Sequence, residues 1–579
     1  MTVDLVLDPD LDVGEFNKDF AFKDNHEHKV SFASLCDNFA APSKHEVLEK
    51  KLYAIRATIG ETIFDDKELA VTKEKDNDTI ASEEDIPASV RIDGYFDTGL
   101  EVEEYTTFAD MKLSRALLKA LSALNFDKPT PIQRAAIPVA LMGKDICGGA
   151  VTGSGKTAAF LIPIIERLLH KPKHASPKIR VLVVLPTREL AVQCHEVACK
   201  LACFSSNISV CLAAGGLPMK VQEIELRRVP DVVIATPGRL IDHLRNSAGV
   251  TLQTVEVLVL DEADRMLEDG FADELDEIIR ACPRQRQTIL FSATMTENVD
   301  ELVRLSLNRP ARLFVDANTA LARKLRQEFV RIRADREADR LPILLALCRR
   351  TCTRRCIVFF PTKELAHKFR LILGLVGLKV AELHGGLGQV ERLEALDRFK
   401  NETADFLIAT DVAARGLDIA GVKYVLNYSM PQNYKLYLHR VGRTARAGAS
   451  GCSITLVGEG ADRKLLKMVI KNASEPVKHR QIQPAVIDQY RVMLNELQHS
   501  LDILLEEEHE EKILAKTEKE LERAQNIIVH QNEISSRPKK TWFQSKRQKA
   551  ISKKRDLQSF TSEGSKESRN SKTKVRKSK

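Results

Sequence analysis

Short aliphatic runs alternate with amphipathic stretches from Phe108 onwards, and this pattern predicts two α/β domains. Runs of this kind, separated by helical patterns, are typical of βαβ units whose parallel strands are buried on both faces. In the first half we expect strands at 145–148, 181–185, 232–235, 255–260 and 288–291. In the second half we expect strands at 356–360, 379–383, 406–409, 424–427 and 453–457.

Other patterns surround these two predicted domains. Leu494, Leu497, Leu501 and Leu504 are spaced as on one helix face, which predicts one or two long helices packed on the second domain. Short helices are also expected near 44–58. The predicted organisation is an N-terminal extension at 1–104, a first domain at 105–316, a linker at 317–325, a second domain at 326–480, a helical extension at 481–536 and a tail at 537–579.

The charge is unevenly distributed, although the net charge is only +7. Residues 61–110 contain sixteen Asp/Glu and four Lys/Arg, so this acidic stretch is predicted to be mostly disordered. Residues 537–579 contain sixteen Lys/Arg and three Asp/Glu. Such a basic, disordered tail attracts polyanions, of which nucleic acid fits best. A nuclear-import signal and a merely solvated tail are the alternatives.

Composition excludes several classes of protein. No stretch of about 18 apolar residues is present, so we expect no membrane span. The chain begins with Met1 and soon carries Asp4, Asp8 and Asp10 instead of a basic and then apolar leader, so we expect no secretion signal. The eleven cysteines follow no regular framework, which indicates a reducing compartment.

The segment 150–157 (AVTGSGKT) follows a predicted strand and opens an apolar helix. Small residues let backbone N–H groups close around phosphate oxygens, Lys156 neutralises phosphate charge, and the Thr157 hydroxyl can hold Mg²⁺. Ala150 replaces the first glycine of this P-loop pattern. A glycine-rich turn without function is the alternative, but the strand before it and the helix after it favour nucleotide binding.

An acidic tetrad, Asp261-Glu262-Ala263-Asp264, comes directly after the predicted strand 255–260. Ligands of open α/β sheets bind at the carboxyl ends of strands. One carboxylate there can hold Mg²⁺ and the next can orient or deprotonate water. An exposed charge cluster or a helix cap is the alternative, and the P-loop earlier in the chain favours a shared nucleotide site.

Further short motifs follow in order: 126–133 (FDKPTPIQ) with Phe108 upstream, 186–190 (PTREL), 215–216 (GG), 236–239 (TPGR), 292–294 (SAT), 358–360 (VFF), 384–386 (HGG), 389–392 (QVER), 410–418 (TDVAARGLD) and 439–446 (HRVGRTAR). In these motifs the chain, from Phe108 to about Val477, resembles the DEAD-box RNA helicases. These are superfamily 2 ATPases with two tandem RecA-like domains. The resemblance therefore implies an α/β fold with two parallel sheets, a helical C-terminal extension and disordered termini.

The resemblance also implies ATP and Mg²⁺ as ligands. Gln133 carries donors and an acceptor on one planar amide and would read the adenine edge, with Phe108 stacking nearby. An exposed helix residue is the alternative for Gln133. Asp418 would meet the ribose hydroxyl, and Thr157 and Asp261 would hold Mg²⁺, Asp261 through water. The nucleotide-binding residues implied are Phe108, Phe126, Gln133, Thr152, Gly153, Ser154, Gly155, Lys156, Thr157 and Asp418.

The catalytic residues implied by the resemblance come from both domains. Glu262 would polarise the attacking water, with Lys156 and Asp261 beside it. Arg443 and Arg446 would act as arginine fingers, since planar guanidinium groups suit phosphate oxygens. A surface charge stripe is their alternative. Ser292, Thr294 and His439 would link the γ-phosphate to domain closure.

The RNA contacts implied are Thr187, Arg188, Gly216, Thr236, Arg239, Gly385 and Thr410. Several of these are small residues or backbone donors, which hold phosphates and sugars and read little sequence. A closed clamp that accepts only a bent strand would separate a duplex locally, and hydrolysis would release the strand.

Two residues depart from the family pattern. Asn125 and Ala445 stand where the family usually has glycine. Asparagine tolerates a positive φ better than most residues, and alanine adds only a methyl group. Neither change removes a reacting group, so we expect activity to survive.

The cysteines and histidines do not have metal-binding spacing. Cys348, Cys352 and Cys356, like Cys194, Cys199 and Cys203, form no C-x₂-C pair and are predicted to be small buried residues. His384 and His439 are likewise not spaced as metal ligands.

The C-terminal segments 475–478 (EPVK) and 534–544 (ISSRPKKTWFQ) are similar to nucleolar DEAD-box proteins that act in large ribosomal subunit assembly. This resemblance implies pre-rRNA and pre-ribosomal assembly proteins as partners, a monomer, no membrane, and a location in the nucleus and nucleolus. Trp542 would stack on a base, enter a partner's pocket or pack on its own domain.

Three functions therefore compete. The first is an ATP-dependent RNA helicase that remodels pre-rRNA. The second is a clamp that binds ATP and RNA without useful turnover, against which Glu262, Arg443 and Arg446 argue. The third is a DNA translocase. Stimulation of ATP hydrolysis by RNA and by matched DNA separates it from an RNA enzyme, since only RNA offers 2′-hydroxyls.

Overall fold

The computed structural model describes residues 44–59, 90–92, 105–149, 153–172, 176–205, 207–247, 249–292, 297–315, 325–411, 419, 421–445, 450–473 and 476–531. The chain divides into two compact units, residues 1–54 and residues 55–579. Helix α1 spans Lys44–Ile59, which confirms the helix expected near 44–58. The domains and sites discussed below all lie in the second unit.

The first sheet has eight strands in the order β1-β8-β2-β7-β6-β3-β5-β4. Seven of them are parallel, and only β1 pairs antiparallel, with β8. Because β1 lies upstream of residue 105, the sheet begins before the expected domain boundary. The strands are β1 (Val90–Ile92), β2 (Ile146–Gly149), β3 (Val181–Val184), β4 (Val210–Ala213), β5 (Val232–Ala235), β6 (Val257–Leu260), β7 (Gln287–Ser292) and β8 (Ala311–Val315).

Helices connect these strands, as the βαβ pattern predicts. Beside a 3₁₀ turn at Ala109–Met111, they are α2 (Arg115–Ala123), α3 (Pro131–Leu141), α4 (Lys156–Leu169), α5 (Arg188–Leu201), α6 (Met219–Arg227), α7 (Pro237–Asn246), α8 (Ala263–Glu268), α9 (Ala272–Ala281) and α10 (Glu297–Ser306).

The second sheet has seven parallel strands in the order β11-β12-β10-β13-β14-β9-β15. Residues 316–324 lie outside the described residues, and β9 already begins at Leu325, the last residue of the expected linker. The strands are β9 (Leu325–Arg331), β10 (Cys356–Phe360), β11 (Val380–Leu383), β12 (Phe406–Thr410), β13 (Tyr424–Asn427), β14 (Gly451–Val457) and β15 (Lys478–His479).

The second sheet is accompanied by a 3₁₀ segment at Ala334–Asp339 and by α11 (Arg340–Arg350), α12 (Lys363–Leu375), α13 (Gln389–Lys400), α14 (Tyr434–Val441) and α15 (Ala461–Asn472). The predicted class of two α/β domains with parallel sheets is therefore confirmed.

The central strands are buried on both faces, as their continuous aliphatic runs predict. All residues of β3, β5 and β6 are buried. Strand β2 is different, because close packing leaves room only for glycine at its last two positions. A Cβ on Gly148 would lie 2.3 Å from the Phe291 ring, and one on Gly149 would lie 2.4 Å from the Phe314 ring. The strand that leads into the P-loop is thus held tightly between two aromatic side chains.

Helix α16 (Pro484–Val529) is one 46-residue helix, which confirms the predicted helical extension. It packs on α11 and α12, and beyond Leu504 it is mostly exposed. Its buried face comprises Val486, Ile487, Tyr490, Met493, Leu497, Leu501 and Leu504. Among the described helices, none combines the length and the apolar character that a membrane span requires.

Candidate active site

The motif residues of the first domain lie at one edge of its sheet. Parallel strands bring their carboxyl ends to the same edge, where α/β proteins bind ligands. The P-loop follows β2, Thr187 and Arg188 follow β3, Gly216 follows β4, Thr236 follows β5, Asp261 and Glu262 follow β6, and Ser292 ends β7.

The P-loop places a buried cation at the start of α4. Gly153 and Gly155 have φ angles of 86° and 89°, a left-handed conformation that glycine adopts without steric cost. Lys156 is buried, and its Nζ lies 4.0 Å from Asp261 Oδ1 without a hydrogen-bond partner among the described residues. The Ser154 hydroxyl is also buried and unpartnered there. Such groups are costly to bury alone, so they fit a phosphate ligand. Thr152 lies outside the described residues.

Gln133 lies against the P-loop from α3. Its Oε1 accepts from the Thr130 N–H at 2.9 Å, and its Nε2 donates to the Gly155 carbonyl oxygen at 3.1 Å. The residue is buried, so its alternative as an exposed helix residue is wrong. Phe108 is buried and Phe126 is half-buried.

Asp261 and Glu262 form a strained acidic pair behind Lys156. Asp261 Oδ1 accepts from the Glu262 N–H at 2.9 Å. Burial raises the pKa of Asp261 to about 6, although the Lys156 charge opposes this. Glu262 has a φ of 51°, and its buried Oε2 has no hydrogen-bond partner among the described residues. Backbone strain of this kind is found at functional sites, so the geometry fits a carboxylate held ready for water.

The second domain contributes His439 and Arg443. Arg443 is buried, and its Nε donates to the His439 carbonyl oxygen at 2.9 Å. Burial lowers the pKa of His439 to about 4, and the charges of Arg443 and Lys435 add to this effect. The imidazole is therefore neutral near pH 7. Ser292 is buried at the end of β7, whereas Thr294, Asp418 and Arg446 lie outside the described residues.

Side chains from the two domains meet directly. Glu189 Oε1 in α5 accepts from Gln389 Nε2 at 3.1 Å and lies 3.0 Å from Arg392 Nη2, both on α13. Lys435 Nζ on α14 lies 2.6 Å from Glu268 Oε1 and 3.3 Å from Asp264 Oδ2. The sequence assigned none of these residues a role, although most lie inside the motifs PTREL, QVER and DEAD. The contacts hold the two motif-bearing faces together.

The proposed RNA residues of the first domain form one group. Gly216 has a φ of 83°, and a Cβ there would lie 2.7 Å from Arg188 Nη1. Burial lowers the pKa of Arg239, the charge of Asp242 opposes this effect, and the charge of Arg188 adds to it. Thr236 Oγ1 accepts from the Gly215 N–H at 3.4 Å. Thr187 caps α5 by accepting from the Leu190 N–H.

The two RNA residues of the second domain lie at the ends of adjacent strands. Gly385 follows β11 and is exposed, with open space where a Cβ would stand. Thr410 ends β12, the neighbouring strand, and is half-buried. Both therefore lie at the carboxyl edge of the second sheet.

One buried ion pair was missed by the sequence reasoning. Arg440 Nε and Nη2 donate to the two Asp411 carboxylate oxygens at 2.5 and 2.7 Å, and Arg440 Nη1 donates to the Ser429 carbonyl oxygen. Asp411 lies in the motif 410–418 and Arg440 in the motif 439–446, so their motif positions were the sequence signal that could have identified the pair. The pair ties the start of the second-domain arginine motif to the end of β12.

The glycine departures have a backbone explanation. Asn125 has a φ of 56° and Ala445 one of 55°, so both positions need the left-handed region. Asparagine adopts it readily, as expected. For Ala445 the cost is conformational and not only a methyl group, which corrects the expectation.

The cysteine expectations hold in part. Cys348, Cys352 and Cys356 are buried and free, and burial raises the pKa of all three thiols. Cys194 is also buried, but Cys199 and Cys203 are exposed, so the prediction of burial is wrong for these two. They lie on the solvent side of α5 and just after its end.

Two family models match the chain. The model described as "DEAD/DEAH box helicase" matches residues 130–302, and that of the "Helicase conserved C-terminal domain" matches residues 339–448. The ATP-dependent RNA helicase DRS1 of Coccidioides immitis is 53% identical over 460 residues, which are 79% of this chain and 54% of that protein. The chain thus spans about half the length of this relative.

Solved structures show the same fold. S. cerevisiae Dbp5 bound to RNA and ADP BeF3 is 30% identical, and the match covers 68% of this chain and 100% of that one with a TM-score of 0.59. Mss116p bound to ssRNA and AMP-PNP is 28% identical, with 66% and 81% covered and the same TM-score. The two parallel sheets are accordingly RecA-like domains, as expected, and the chain belongs to the DEAD/DEAH box helicase family.

Proposed function

We propose that this protein is an ATP-dependent RNA helicase that unwinds or remodels RNA locally by nucleotide-driven domain closure. The observation that carries the proposal is the pairing of Lys435 with Asp264 and Glu268, because it joins the arginine motif of the second domain to the DEAD segment of the first. We assign the two functional domains to residues 105–316 and 326–480. The chain acts as a monomer in this proposal.

The ATP site lies where the P-loop meets the DEAD segment. Lys156 and the P-loop backbone bind the phosphates, and the buried Nζ of Lys156, which has no hydrogen-bond partner among the described residues, supports this role. Gln133 holds the P-loop through Gly155 and keeps one amide hydrogen for adenine. Phe108, Phe126, Thr152 and Asp418 complete the nucleotide contacts in this proposal.

Thr157 and Asp261 would hold Mg²⁺, Asp261 through water. A bound Mg²⁺ would neutralise charge on the phosphates. The donor set fits this ion, because a hydroxyl and a carboxylate are hard oxygen ligands. Asp261 lies beside Lys156 and the start of α4, so both oxygens come from the same edge of the sheet.

Glu262 is the residue proposed to orient and polarise the attacking water. Its buried Oε2 accepts no hydrogen bond among the described residues, and Arg265 Nη1 lies 3.7 Å away, which leaves the oxygen available for this contact. Arg443 and Arg446 stabilise charge on the transferred phosphate from the second domain. Ser292, Thr294 and His439 couple this site to closure. The place of His439 on α14, whose Lys435 pairs with Asp264 and Glu268 of the other domain, supports the last role.

RNA is proposed to cross the carboxyl edges of both sheets. Thr187, Arg188, Gly216, Thr236 and Arg239 contact it from the first domain, where Arg188 and Arg239 supply positive charge. Gly385 and Thr410 contact it from the second domain. Cations, hydroxyls and glycine backbone bind phosphate and sugar, so the grip is independent of base sequence.

The experiment that tests this function compares RNA with matched DNA as stimulators of ATP hydrolysis. We expect RNA alone to raise the rate of phosphate release. Glu262→Gln should abolish the stimulated rate while ATP binding persists, and Lys156→Ala should weaken ATP binding itself. Equal stimulation by DNA would refute the RNA preference, and wild-type turnover of Glu262→Gln would refute the assignment of the base.

We further propose pre-rRNA and pre-ribosomal assembly proteins as partners, with action in the nucleus and nucleolus during large ribosomal subunit assembly. The similarity of the segments 475–478 and 534–544 to nucleolar members of the family supports this proposal. Crosslinking the protein to RNA in cells and mapping the reads tests it. Reads concentrated on ribosomal precursors are expected, and reads scattered over messenger RNAs would contradict it.

A further inference from the structure

A chain of polar contacts connects the C-terminal helix to the loop that carries Gly385. Glu508 Oε2 on α16 accepts from His367 Nε2 on α12 at 2.7 Å, and His367 Nδ1 donates to Glu382 Oε2 on β11 at 2.9 Å. The Nε2 of His384 lies 3.7 Å from the same Glu382 oxygen, an electrostatic contact longer than a hydrogen bond. The chain ends at Gly386, whose N–H donates to His384 Nδ1 at 3.1 Å.

His367 is an imidazolium at the centre of this chain. Each of its ring nitrogens faces a carboxylate, so each must carry a proton. Burial lowers the pKa of His367, but the hydrogen bonds and charges of Glu382 and Glu508 outweigh it and raise the pKa to about 9. Two cations also contact these carboxylates: Arg370 Nη1 lies 3.3 Å from Glu382 Oε1, and Lys512 Nζ lies 3.2 Å from Glu508 Oε2.

A metal site is the first alternative for this cluster, because His367, Glu382 and His384 offer atoms within 4.8 Å of one another. The hydrogen bonds argue against it. The Gly386 N–H donates to His384 Nδ1, so the proton of the neutral ring is on Nε2, the atom that faces Glu382. His367 uses both nitrogens as donors. A metal needs a ligand atom with a free lone pair, and neither nitrogen of His367 offers one while the ring bridges the two carboxylates.

The geometry instead makes His384 a support for the Gly385 backbone. Gly385 lies between His384 and Gly386, and the hydrogen bond from Gly386 to the His384 ring closes a tight turn around it. Gly385 itself is exposed and has no atom within 4 Å of the position of a Cβ. The position of the imidazole therefore fixes a backbone segment that faces solvent.

Glu508 is held in place by the packing of α16. Leu504 lies one helical turn earlier on the same face and is fully buried, whereas the helix is almost entirely exposed after Glu508. The side chain of Glu508 is only 14% exposed. Glu508 is therefore the last partly buried residue of helix α16, and it is also the residue that completes the polar chain.

We propose that Glu508 and His367 are positioning residues for the RNA contact at Gly385, so that helix α16 is a working part of the RNA-binding face. The inference rests on the proposed function, since it takes Gly385 as an RNA contact. Loss of Glu508 leaves His367 with one carboxylate partner. His367 then fixes the position of Glu382 less firmly, so His384 and the turn around Gly385 become less well ordered.

The test uses the full chain with Glu508→Gln and, as a matched control, Glu510→Gln, an exposed glutamate on the same helix. The measurements are the RNA concentration for half-maximal ATPase stimulation, the KM for ATP, and the melting temperature. Hydrogen bonds to charged groups are strong, so we expect Glu508→Gln to raise the RNA half-saturation about three- to tenfold. The KM for ATP, the unstimulated rate and the control should not change.

A pH series adds a readout that a merely structural role would not move. For the wild type, the RNA concentration for half-maximal stimulation should rise only as the pH approaches about 9, where His367 loses its proton. In Glu508→Gln this rise should begin at lower pH. Glu508→Asp should restore part of the wild-type pH dependence of RNA binding. Equal RNA half-saturation and equal pH profiles for Glu508→Gln and Glu510→Gln would overturn the inference. Absence of RNA stimulation in the wild type would instead overturn the proposed function.

Discussion

Lys435 provides the most direct test of how the two domains close. Its Nζ on α14 lies 2.6 Å from Glu268 Oε1 and 3.3 Å from Asp264 Oδ2 in the other domain. Burial lowers the pKa of Lys435, but the hydrogen bond and charge of Glu268 and Asp264 outweigh it and raise the pKa. Lys435→Met keeps the length of the side chain and removes both ion pairs, so it should weaken closure.

The magnitude follows from the exposure of the two acids. Glu268 is about half exposed, and such a pair contributes only about 0.2–1 kcal/mol. Asp264 is buried, and a hydrogen bond to a buried charged group contributes about 1.5–3 kcal/mol. Asp264 keeps other contacts, so a combined loss of about 2 kcal/mol is reasonable, or roughly 30-fold in the closing equilibrium.

The assay is fluorescence transfer between dyes on the two domains, titrated with RNA and a non-hydrolysable ATP analogue. Lys467→Met, an exposed lysine of the second domain, is the control. Lys435→Arg, which keeps the positive charge beside Asp264 and Glu268, should retain most of the wild-type closure. If Lys435→Met closed at the same ligand concentrations as the wild type, the interdomain pairs would not stabilise the closed form and the reasoning would be wrong.

Three further predictions follow from single residues. Lys156→Ala should weaken ATP binding at least about tenfold in a filter-binding assay, because a charge-assisted phosphate contact is lost. Ala445→Gly should raise the free energy of unfolding by about 1 kcal/mol, since an alanine at φ 55° is strained, whereas Ala366→Gly inside α12 should lower it. Protonated His367, whose pKa burial lowers but Glu382 and Glu508 raise from 6.5 to about 9, should stabilise the fold fully below pH 6.5 and lose this effect as the pH rises through 9. Urea unfolding of the wild type and His367→Gln across this range measures that difference.

The sequence predicted the interior strands well. The bounds of β5, β10 and β13 match the predicted runs, because strands covered by helices on both faces read as continuous aliphatic segments. Strands β1, β4, β8, β9 and β15 were missed. β1, β4 and β15 are edge strands with one neighbour each, and β8 and β9 each lie next to an edge strand and carry half-buried or exposed positions. Partly solvated strands carry polar residues, so an aliphatic-run criterion passes over them.

Local motifs were also predictable, whereas contacts between motifs were not. The P-loop and the DEAD tetrad each lie within a few residues, and their placement after a strand could be inferred from the adjacent pattern. Glu189 and Gln389 are 200 residues apart, and no local pattern pairs them. The same holds for Glu508 and His367, which are 141 residues apart and belong to different parts of the fold. Such pairs depend on packing that only the folded chain defines.

Hydrogen-bonding partners separate structural from chemical roles among the buried charges. Arg440 is matched by both oxygens of Asp411, and Glu382 is matched by His367 and Arg370, so these charges stabilise the fold they lie in. Lys156 Nζ and Glu262 Oε2 are equally buried, but neither has a hydrogen-bond partner among the described residues. Burial without a partner costs free energy that folding alone does not recover. These two groups lie close together at the carboxyl edge of the first sheet, beside residues at positive φ, and this combination is why chemistry is assigned there.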